Sequence, residues 1–412
     1  MTTLTPIPPI PSNFNDPAFR ADPYPFYTRM RQTAPVAPMK AIMGAQSWLI
    51  TRYDDVVSAL KDPRFSSDPK DMGADSDRMK AWWMPRVFKV LSNSMITSND
   101  PAHKRLRGLV HLAFTPKRIE RITARVEEVT SSLLDAAGRK NEIDLIREFA
   151  LPVPLTVISE LMGVPAKEQM GFFNAVSPFL DSLTGNPLKI LGQFPNATRL
   201  LRFFERMIAL RRADPQDDLI SALVQAEEAG DRLTPDELLS MIFLLLLAGH
   251  ETTVNLIGNG TLALLEYPDQ AAWLRQHPEM IDRAIDELLR YANPVEHGTN
   301  RILTEDVTLH GVTMPKHSTV LLMLAAANRD ETVFPNADRL DLNRNPNRHV
   351  AFGLGMHYCL GAPLARLEGR IAISALVQRF PNMQLLVRPE QVEWRTAVAV
   401  RGVKRLPVRL SG

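Results

Sequence analysis

Apolar and polar residues recur along most of the chain with the spacing of amphipathic helices, and the longest helical segment lies near its middle. This segment begins at residues 234–237 (TPDE), because threonine followed three residues later by glutamate forms a capping box and proline is favoured at the first helical position. No further proline occurs until Pro268. The stretch from Ile242 to Ala248 is apolar on every face, which predicts a helix that passes through the middle of the protein.

The other patterns predict a mainly α-helical protein with small β-sheets. We expect a strand at residues 47–51, several amphipathic helices over residues 118–212, and a final helix from Ala362 to Phe380 that Pro381 ends. Residues 65–98 are rich in serine and include Pro69, Gly73 and Pro85, and they predict a long irregular loop. Residues 1–20 are rich in proline and polar groups and predict an irregular N-terminal arm.

Composition narrows the class of protein. The chain has 412 residues, a net charge of +2 and one cysteine, so nothing global indicates a nucleic-acid partner, and an internal disulfide framework is excluded. The N-terminus lacks the features of a signal peptide, and the longest apolar run, Met241 to Gly249, is far shorter than the ~20 residues of a membrane span. We expect a cytoplasmic, monomeric protein without a membrane partner. Length alone suggests two or three domains of roughly 100–200 residues each, but no linker divides the chain.

The single cysteine lies in the glycine-rich stretch from Phe352 to Gly361, directly before the predicted final helix. A cysteine at the start of a helix feels the positive end of the helix dipole, and backbone amides there can hydrogen-bond its sulfur. Both effects favour the thiolate, which is either a nucleophile or a metal ligand. A lone cysteine is more often a small buried apolar residue, so Cys359 alone does not decide the function.

Phe352, Gly355, Cys359 and Gly361 form the pattern F-x-x-G-x-x-x-C-x-G, which resembles the haem-binding loop of the cytochrome P450 family. The resemblance extends from about Asp22 to Leu410. It implies a single-domain cytochrome P450 fold over residues 1–412, with haem b (iron protoporphyrin IX) buried beside the long central helix. It also implies that Cys359 is the axial ligand of the haem iron, and that Phe352, Gly353 and Gly361 contact the haem.

A polar cluster interrupts the central helix at residues 249–253 (GHETT). An acid and an alcohol inside a buried helix are costly unless they are paired or used. Thr252 can donate to the carbonyl of Ala248 and merely bend the helix. The motif also resembles the oxygen-activation motif of the family, which implies that Glu251 and Thr252 relay protons to bound dioxygen and that Ala248 and Gly249 border the haem.

Further positions gain meaning from the same resemblance. A histidine and an arginine four residues apart are usually a solvated basic face, and a glutamate and an arginine three apart are usually a routine helical ion pair. In this family the corresponding positions imply contacts to the haem propionates from His103, Arg107, Arg301 and His357. They also imply a buried structural network of Glu287, Arg290 and Arg339.

The substrate pocket is the least defined part of this prediction. The resemblance places the loop near residue 80 and the segment near residue 180 over the pocket, although simple packing onto the protein body explains their apolar residues equally well. The predicted pocket residues are Trp82, Trp83, Leu180, Ala248, Val295, His297 and Val398.

The resemblance implies a monooxygenase that hydroxylates or epoxidises a small, largely apolar molecule in secondary metabolism. Its electrons would come from NAD(P)H through a separate ferredoxin reductase and ferredoxin, docked on basic residues behind the cysteine: Lys104, Arg105, Lys117, Arg118 and Arg366. Two alternatives stay open. One is a haem-thiolate enzyme that uses peroxide or isomerises its substrate, which would not need a proton relay. The other is a hydrolase with Cys359 as nucleophile and His357 as base, two residues apart in poor geometry.

Overall fold

The computed structural model describes residues 14, 16–42, 45–75, 86, 90, 94–113, 116–165, 167–169, 171–172, 194–228, 233–395 and 399–411. Helices dominate this part of the chain, as the sequence predicts. They are α1 (Pro17–Ala21), α2 (Tyr24–Thr33), α3 (Tyr53–Lys61), α4 (Ala102–Ala113), α5 (Pro116–Gly138), α6 (Pro152–Leu161), α7 (Phe194–Ala213), α8 (Leu219–Glu228), α9 (Pro235–Glu266), α10 (Pro268–Gln276), α11 (Ile281–Tyr291), α12 (Leu324–Ala327) and α13 (Ala362–Arg379).

The strands are short and form small sheets. They are β1 (Val36–Ile42), β2 (Ala45–Ile50), β3 (Phe65–Ser66), β4 (Glu142–Asp144), β5 (Arg301–Leu303), β6 (Val307–Leu309), β7 (Val312–Met314), β8 (Thr319–Leu322), β9 (Gln384–Leu385) and β10 (Pro407–Arg409). The largest described sheet has the order β1-β2-β8-β5-β3, with β2 and β8 parallel and the other pairs antiparallel. The sequence predicts β2 but misses β1, which pairs with it.

The central helix α9 has the predicted bounds. The Thr234 hydroxyl accepts from the amide of Glu237 at 3.2 Å, and the Glu237 carboxylate accepts from the amide of Thr234 at 2.8 Å, which confirms the capping box. By length and apolar composition α9 could cross a membrane, but 61% of its most apolar window is buried inside the protein. We therefore describe it as a core helix.

Helix α9 packs closely against α13, the helix that follows the cysteine. Gly369 of α13 lies against Leu256, and Gly260 of α9 lies against Ile373. A β-carbon at Gly369 would be only 2.8 Å from the Leu256 side chain, so the small residue permits this contact. The contact brings the helix that carries the polar cluster beside the helix that follows the cysteine loop.

The predicted irregular arm is wrong for residues 17–20, which belong to α1. The Asp16 carboxylate accepts from the amides of Ala18 and Phe19 at the start of this helix. Arg20 is 1% exposed, and its guanidinium donates to the Glu296 carboxylate at 3.1 Å. This buried ion pair, far apart in the sequence, orders a segment whose composition predicts a loop.

Candidate active site

The cysteine loop is a tight turn that ends at the first residue of α13. The Cys359 amide donates to the Phe352 carbonyl at 3.0 Å. Gly355 has a φ of +72°, and a β-carbon there would lie 2.8 Å from the Leu60 carbonyl oxygen, so this turn requires glycine. Gly361 is the N-cap of α13, and the helix begins at Ala362, as the sequence predicts.

The Cys359 thiol is half-buried, and burial raises its pKa. Hydrogen bonds from the amides of Gly361 and Ala362 and the positive charge of Arg107 oppose this rise, but burial is the larger effect. The predicted hydrogen bonds from the backbone amides are present, but they do not lower the pKa of Cys359 below its ordinary value, because burial raises it by more. Without a metal the thiol is not an activated nucleophile, whereas coordination to a cation would deprotonate it.

Four potentially cationic side chains meet near this loop, and they are the four that the sequence assigned to one carboxylate-binding site. His103 and Arg301 are 2% and 4% exposed, and the His103 and His357 rings lie 4.4 Å apart. Arg107 donates to the Met356 carbonyl at 3.3 Å. The structure thus brings together residues of α4, β5 and the cysteine loop.

This cationic cluster lacks matching acids within the described part of the chain. Asp100 lies 3.5 Å from His103, but His103 Nε2, Arg301 Nε and His357 Nε2 are buried without a hydrogen-bond partner there. Burial lowers the pKa of Arg301 to about 10 and, with the nearby charge of Arg301, the pKa of His357 to about 3. A buried guanidinium without an acid favours a bound anion, and buried ring nitrogens without a partner favour a ligand that can form hydrogen bonds. The two propionates of a haem whose iron faces Cys359 fit this requirement.

The polar cluster of α9 has the predicted local hydrogen bond. The Thr252 hydroxyl donates to the Ala248 carbonyl at 2.7 Å. Ala248 is exposed in the middle of an otherwise largely buried helix, so this turn is accessible to solvent. Gly249 does not face the same way: a β-carbon there would lie 3.6 Å from Ile158 of α6. The predicted place of Gly249 at the edge of the haem site stays a prediction, because a glycine can border a ligand with its backbone alone.

The Glu251 carboxylate forms an ion pair that the sequence analysis missed. Its Oε1 lies 3.9 Å from Nη1 of Arg395, which belongs to the segment before β10. No local sequence signal links these two residues, since the pairing depends on how the C-terminal segment crosses α9.

The predicted structural network is present with one exchange of residues. The Arg290 guanidinium donates twice to the Glu287 carboxylate, each time at 2.8 Å, and both side chains are fully buried. The second arginine is Arg344, at 3.1 Å from Glu287. The prediction of Arg339 is wrong, because its side chain is exposed and only its carbonyl accepts from Arg290.

Part of the predicted pocket can be located. Val295 is half-buried and pairs with Val400 across an isolated antiparallel bridge. His297 is buried, and its Nδ1 donates to the Gly298 carbonyl at 2.7 Å. Glu296 between them accepts from the Tyr27 hydroxyl at 2.6 Å. Ala248 is the exposed residue of α9 described above. The remaining predicted pocket residues lie outside the described part of the chain: Trp82, Trp83, Leu180 and Val398.

The predicted docking residues behind the cysteine divide into three groups. Lys104 is exposed. Arg366 donates to Asp286 at 2.8 Å, and Arg105 pairs with Glu237 at the start of α9. The side chains of Lys117 and Arg118 lie outside the described part. Beside the cysteine, Met356 and Tyr358 are large hydrophobic side chains that are 42% and 38% exposed.

A buried cationic cluster, a cysteine in a glycine-bounded turn and an acid–alcohol pair on the neighbouring core helix define a haem-thiolate site. The family model for Cytochrome P450 matches residues 274–394. The polyketide biosynthesis cytochrome P450 PksS of Bacillus subtilis is 42% identical, over 95% of this chain and 97% of that protein. The 6-deoxyerythronolide B hydroxylase of Saccharopolyspora erythraea is 40% identical, over 99% of this chain and 100% of that protein.

Solved structures agree with these sequence relatives. A structure of PksS matches with a TM-score of 0.87 and 40% identity, over 97% of this chain and 99% of that one. P450BioI, solved with a fatty-acid-ligated acyl carrier protein, matches with a TM-score of 0.87 and 34% identity, over 96% and 99%. The chain belongs to the cytochrome P450 family and has its fold. It is a monooxygenase whose cofactor is haem, and this excludes the cysteine-hydrolase alternative.

Proposed function

We propose that this protein hydroxylates or epoxidises a small, largely apolar molecule of polyketide type in secondary metabolism. The substrate class is supported by the names of its relatives, one of polyketide biosynthesis and one a hydroxylase of 6-deoxyerythronolide B. Val295 and Val400, which pair across an isolated bridge, would form an apolar edge of the pocket, which suits such a substrate. We further propose that residues 1–412 act as one domain in a cytoplasmic monomer without a nucleic-acid or membrane partner.

The observation that carries this proposal is the buried cationic cluster beside Cys359. His103, Arg107, Arg301 and His357 would hold the haem propionates, with Arg301 contributing the most deeply buried permanent charge of the four. The Cys359 sulfur would bind the iron, and Phe352 would pack beside it. When bound, the haem supplies the chemistry that activates dioxygen.

The residues of α9 would supply protons on the other side of the haem. The Thr252 hydrogen atom is donated to Ala248, so the Thr252 oxygen keeps lone pairs that can accept a hydrogen bond. Glu251, the adjacent residue, would take protons from solvent and pass them toward Thr252. Proton delivery by positioned groups of this kind contributes roughly 10²–10⁴-fold to a rate.

The electrons would come from NAD(P)H through a ferredoxin reductase and a ferredoxin as separate chains. The surface behind Cys359 offers exposed Met356 and Tyr358 next to Lys104 and Arg366. An apolar centre with basic residues around it suits a small acidic electron-transfer protein. Arg105 and Arg366 would contribute less than Lys104, because Glu237 and Asp286 already pair with them.

Reduction in the presence of carbon monoxide tests the proposed ligand. The reduced protein should show the red-shifted carbon-monoxide band of a thiolate-bound haem, and Cys359→Ser should lose that band together with turnover. A library of macrolides and linear polyketides should then be screened for ligands that shift the haem spectrum. Product formed with NAD(P)H, reductase and ferredoxin supports the proposal, whereas product formed only with added peroxide supports the peroxide-using alternative.

A further inference from the structure

Helix α9 presents a polar stripe to the C-terminal segment, defined here as residues 394–395 and 399–403. Glu251, Asn255 and Asn259 are four residues apart and therefore share one face of the helix. The Asn259 amide donates to the Arg401 carbonyl at 2.8 Å, and its oxygen accepts from the Val403 amide at 3.1 Å. These two bonds dock the C-terminal segment on α9.

The middle residue of the stripe is buried without satisfying its polar atoms. Asn255 is 1% exposed, and neither Oδ1 nor Nδ2 has a hydrogen-bond partner among the described residues. Its side chain fits against Gly402, where a β-carbon would lie 1.9 Å from Asn255 Oδ1. The C-terminal segment therefore covers α9 at a distance that only glycine allows, and it encloses polar groups next to Glu251.

The acid at the other end of the stripe faces a cation of the same segment. Arg395 Nη1 lies 3.9 Å from Glu251 Oε1, and each side chain is 14% exposed. His250, the neighbour of Glu251, is 3% exposed, and burial and the charge of Arg395 lower its pKa to about 3. His250 is therefore neutral near pH 7, and the cation that the structure describes beside Glu251 is Arg395.

The backbone that carries Arg395 is held at several points. The Arg395 amide donates to the Gly402 carbonyl at 2.9 Å. The Arg401 guanidinium lies 3.7 Å from the centre of the Trp394 ring and donates to the Ala21 carbonyl at 3.0 Å. Arg20 donates to the Val400 carbonyl at 2.6 Å. A guanidinium on such an anchored segment has a defined position relative to α9.

We propose that Arg395 is a positioning residue of the proton relay, which holds the Glu251 carboxylate ionised and beside Thr252. The proposal rests on the proposed role of Glu251. A fixed positive charge stabilises the carboxylate at one place on the helix, so that Glu251 accepts protons from solvent without leaving the turn that carries Thr252. The covering segment and the relay are thereby coupled: a change in the seating of residues 399–403 on α9 changes the relay.

The test compares haem-loaded Arg395→Gln and Arg395→Lys with the wild type and with Glu251→Gln. Lys404→Gln is the matched control, since it breaks an exposed ion pair on the same part of the chain, 2.9 Å from Glu393. One measurement is coupling, the fraction of NAD(P)H electrons that appear in product instead of hydrogen peroxide. The other is the infrared carboxylate band of Glu251, identified by subtraction of the Glu251→Gln spectrum and followed against pH without turnover.

We expect Arg395→Gln to lower coupling about tenfold, within the range that proton delivery contributes, and to shift protonation of the Glu251 band to higher pH. Arg395→Lys should recover most of both, and Lys404→Gln should change neither. If Arg395→Gln does not fold with haem, Arg395→Met keeps the packing of the side-chain stem and replaces it in the test. The role of Arg395 alone would be overturned if Arg395→Gln kept wild-type coupling and an unmoved Glu251 band while Glu251→Gln lost coupling. Unimpaired Glu251→Gln would overturn the relay itself.

Discussion

The rings of His103 and His357 meet edge to face, 4.4 Å apart, and join α4 to the cysteine loop. Protonation of either ring is unfavourable, because burial lowers the pKa of both and the positive charges of Arg107 and Arg301 lower it further. Two neutral histidines packed with two arginines form a site that is electrostatically incomplete within the described residues. In the proposed holoprotein the two haem propionates would complete this site, which would link haem binding to the stability of the protein.

Arg301→Met should therefore act in opposite directions on the two forms of the protein. In the apoprotein it removes a buried charge without an acidic partner, so we expect equal or greater stability. In the haem-loaded protein it removes a charge-assisted hydrogen bond of about 1.5–3 kcal/mol, so haem should dissociate at least tenfold faster.

Haem transfer to an excess of apomyoglobin and urea unfolding of the apoprotein measure these two effects. Arg370→Met is the control, because Arg370 is 40% exposed and its ion pair with Asp282, at 3.6 Å, lies on the surface. Loss of apoprotein stability in Arg301→Met, without any change in haem dissociation, would contradict the assignment.

The Glu287 network yields a second prediction. The sequence predicts Arg339 as the second arginine that pairs with Glu287, whereas the structure shows Arg344. Arg344→Met should destabilise the protein by about 3–5 kcal/mol, because it breaks a buried ion pair and leaves the Glu287 charge less compensated. Arg339→Met should change stability by less than about 0.5 kcal/mol, since its side chain is exposed. Urea unfolding of the two variants decides between them, and equal effects would return Arg339 to the network.

The sequence predicted those parts of the site that depend on local pattern or on a short motif. The capping box placed the start of α9, the cysteine loop was identified by its glycines, and the contact of Thr252 with Ala248 is an interaction within one helical turn. The residues at the cationic cluster came from resemblance, because the sequence alone does not show that α4 meets β5.

What the sequence could not predict depends on long-range packing. Arg395 reaches Glu251, and Arg20 reaches Glu296, only through the path of the C-terminal segment and the N-terminal helix. Arg344 was missed because both it and Arg339 follow the same turn, and a choice between them needs the direction of each side chain.

Two glycines with positive φ provide a third prediction. Gly355 and Gly311 have φ values of +72° and +77°, but a β-carbon meets the Leu60 carbonyl at 2.8 Å only at Gly355, and meets nothing within 4 Å at Gly311. Gly311→Ala should cost about 1 kcal/mol, for backbone conformation alone. Gly355→Ala should cost more and also displace the cysteine loop, so its haem occupancy should fall. Absorbance of the haem relative to total protein measures this, and full occupancy in Gly355→Ala would show that the turn tolerates a side chain.

His250 predicts how stability depends on pH. Burial lowers its pKa in the folded protein to about 3, from an ordinary value of 6.5. Protons therefore bind the unfolded chain preferentially, and the contribution of the neutral ring is complete above about pH 7 and is lost as the pH falls from 6.5 toward 3. At about pH 5 the loss should be about 2 kcal/mol. His250→Leu should remove this part of the acid sensitivity, whereas His111→Gln on the exposed side of α4 should not. Urea unfolding of the haem-loaded proteins at about pH 7 and about pH 5 measures this loss. An equal decrease in the free energy of unfolding of wild type and His250→Leu would mean that other groups cause the acid sensitivity.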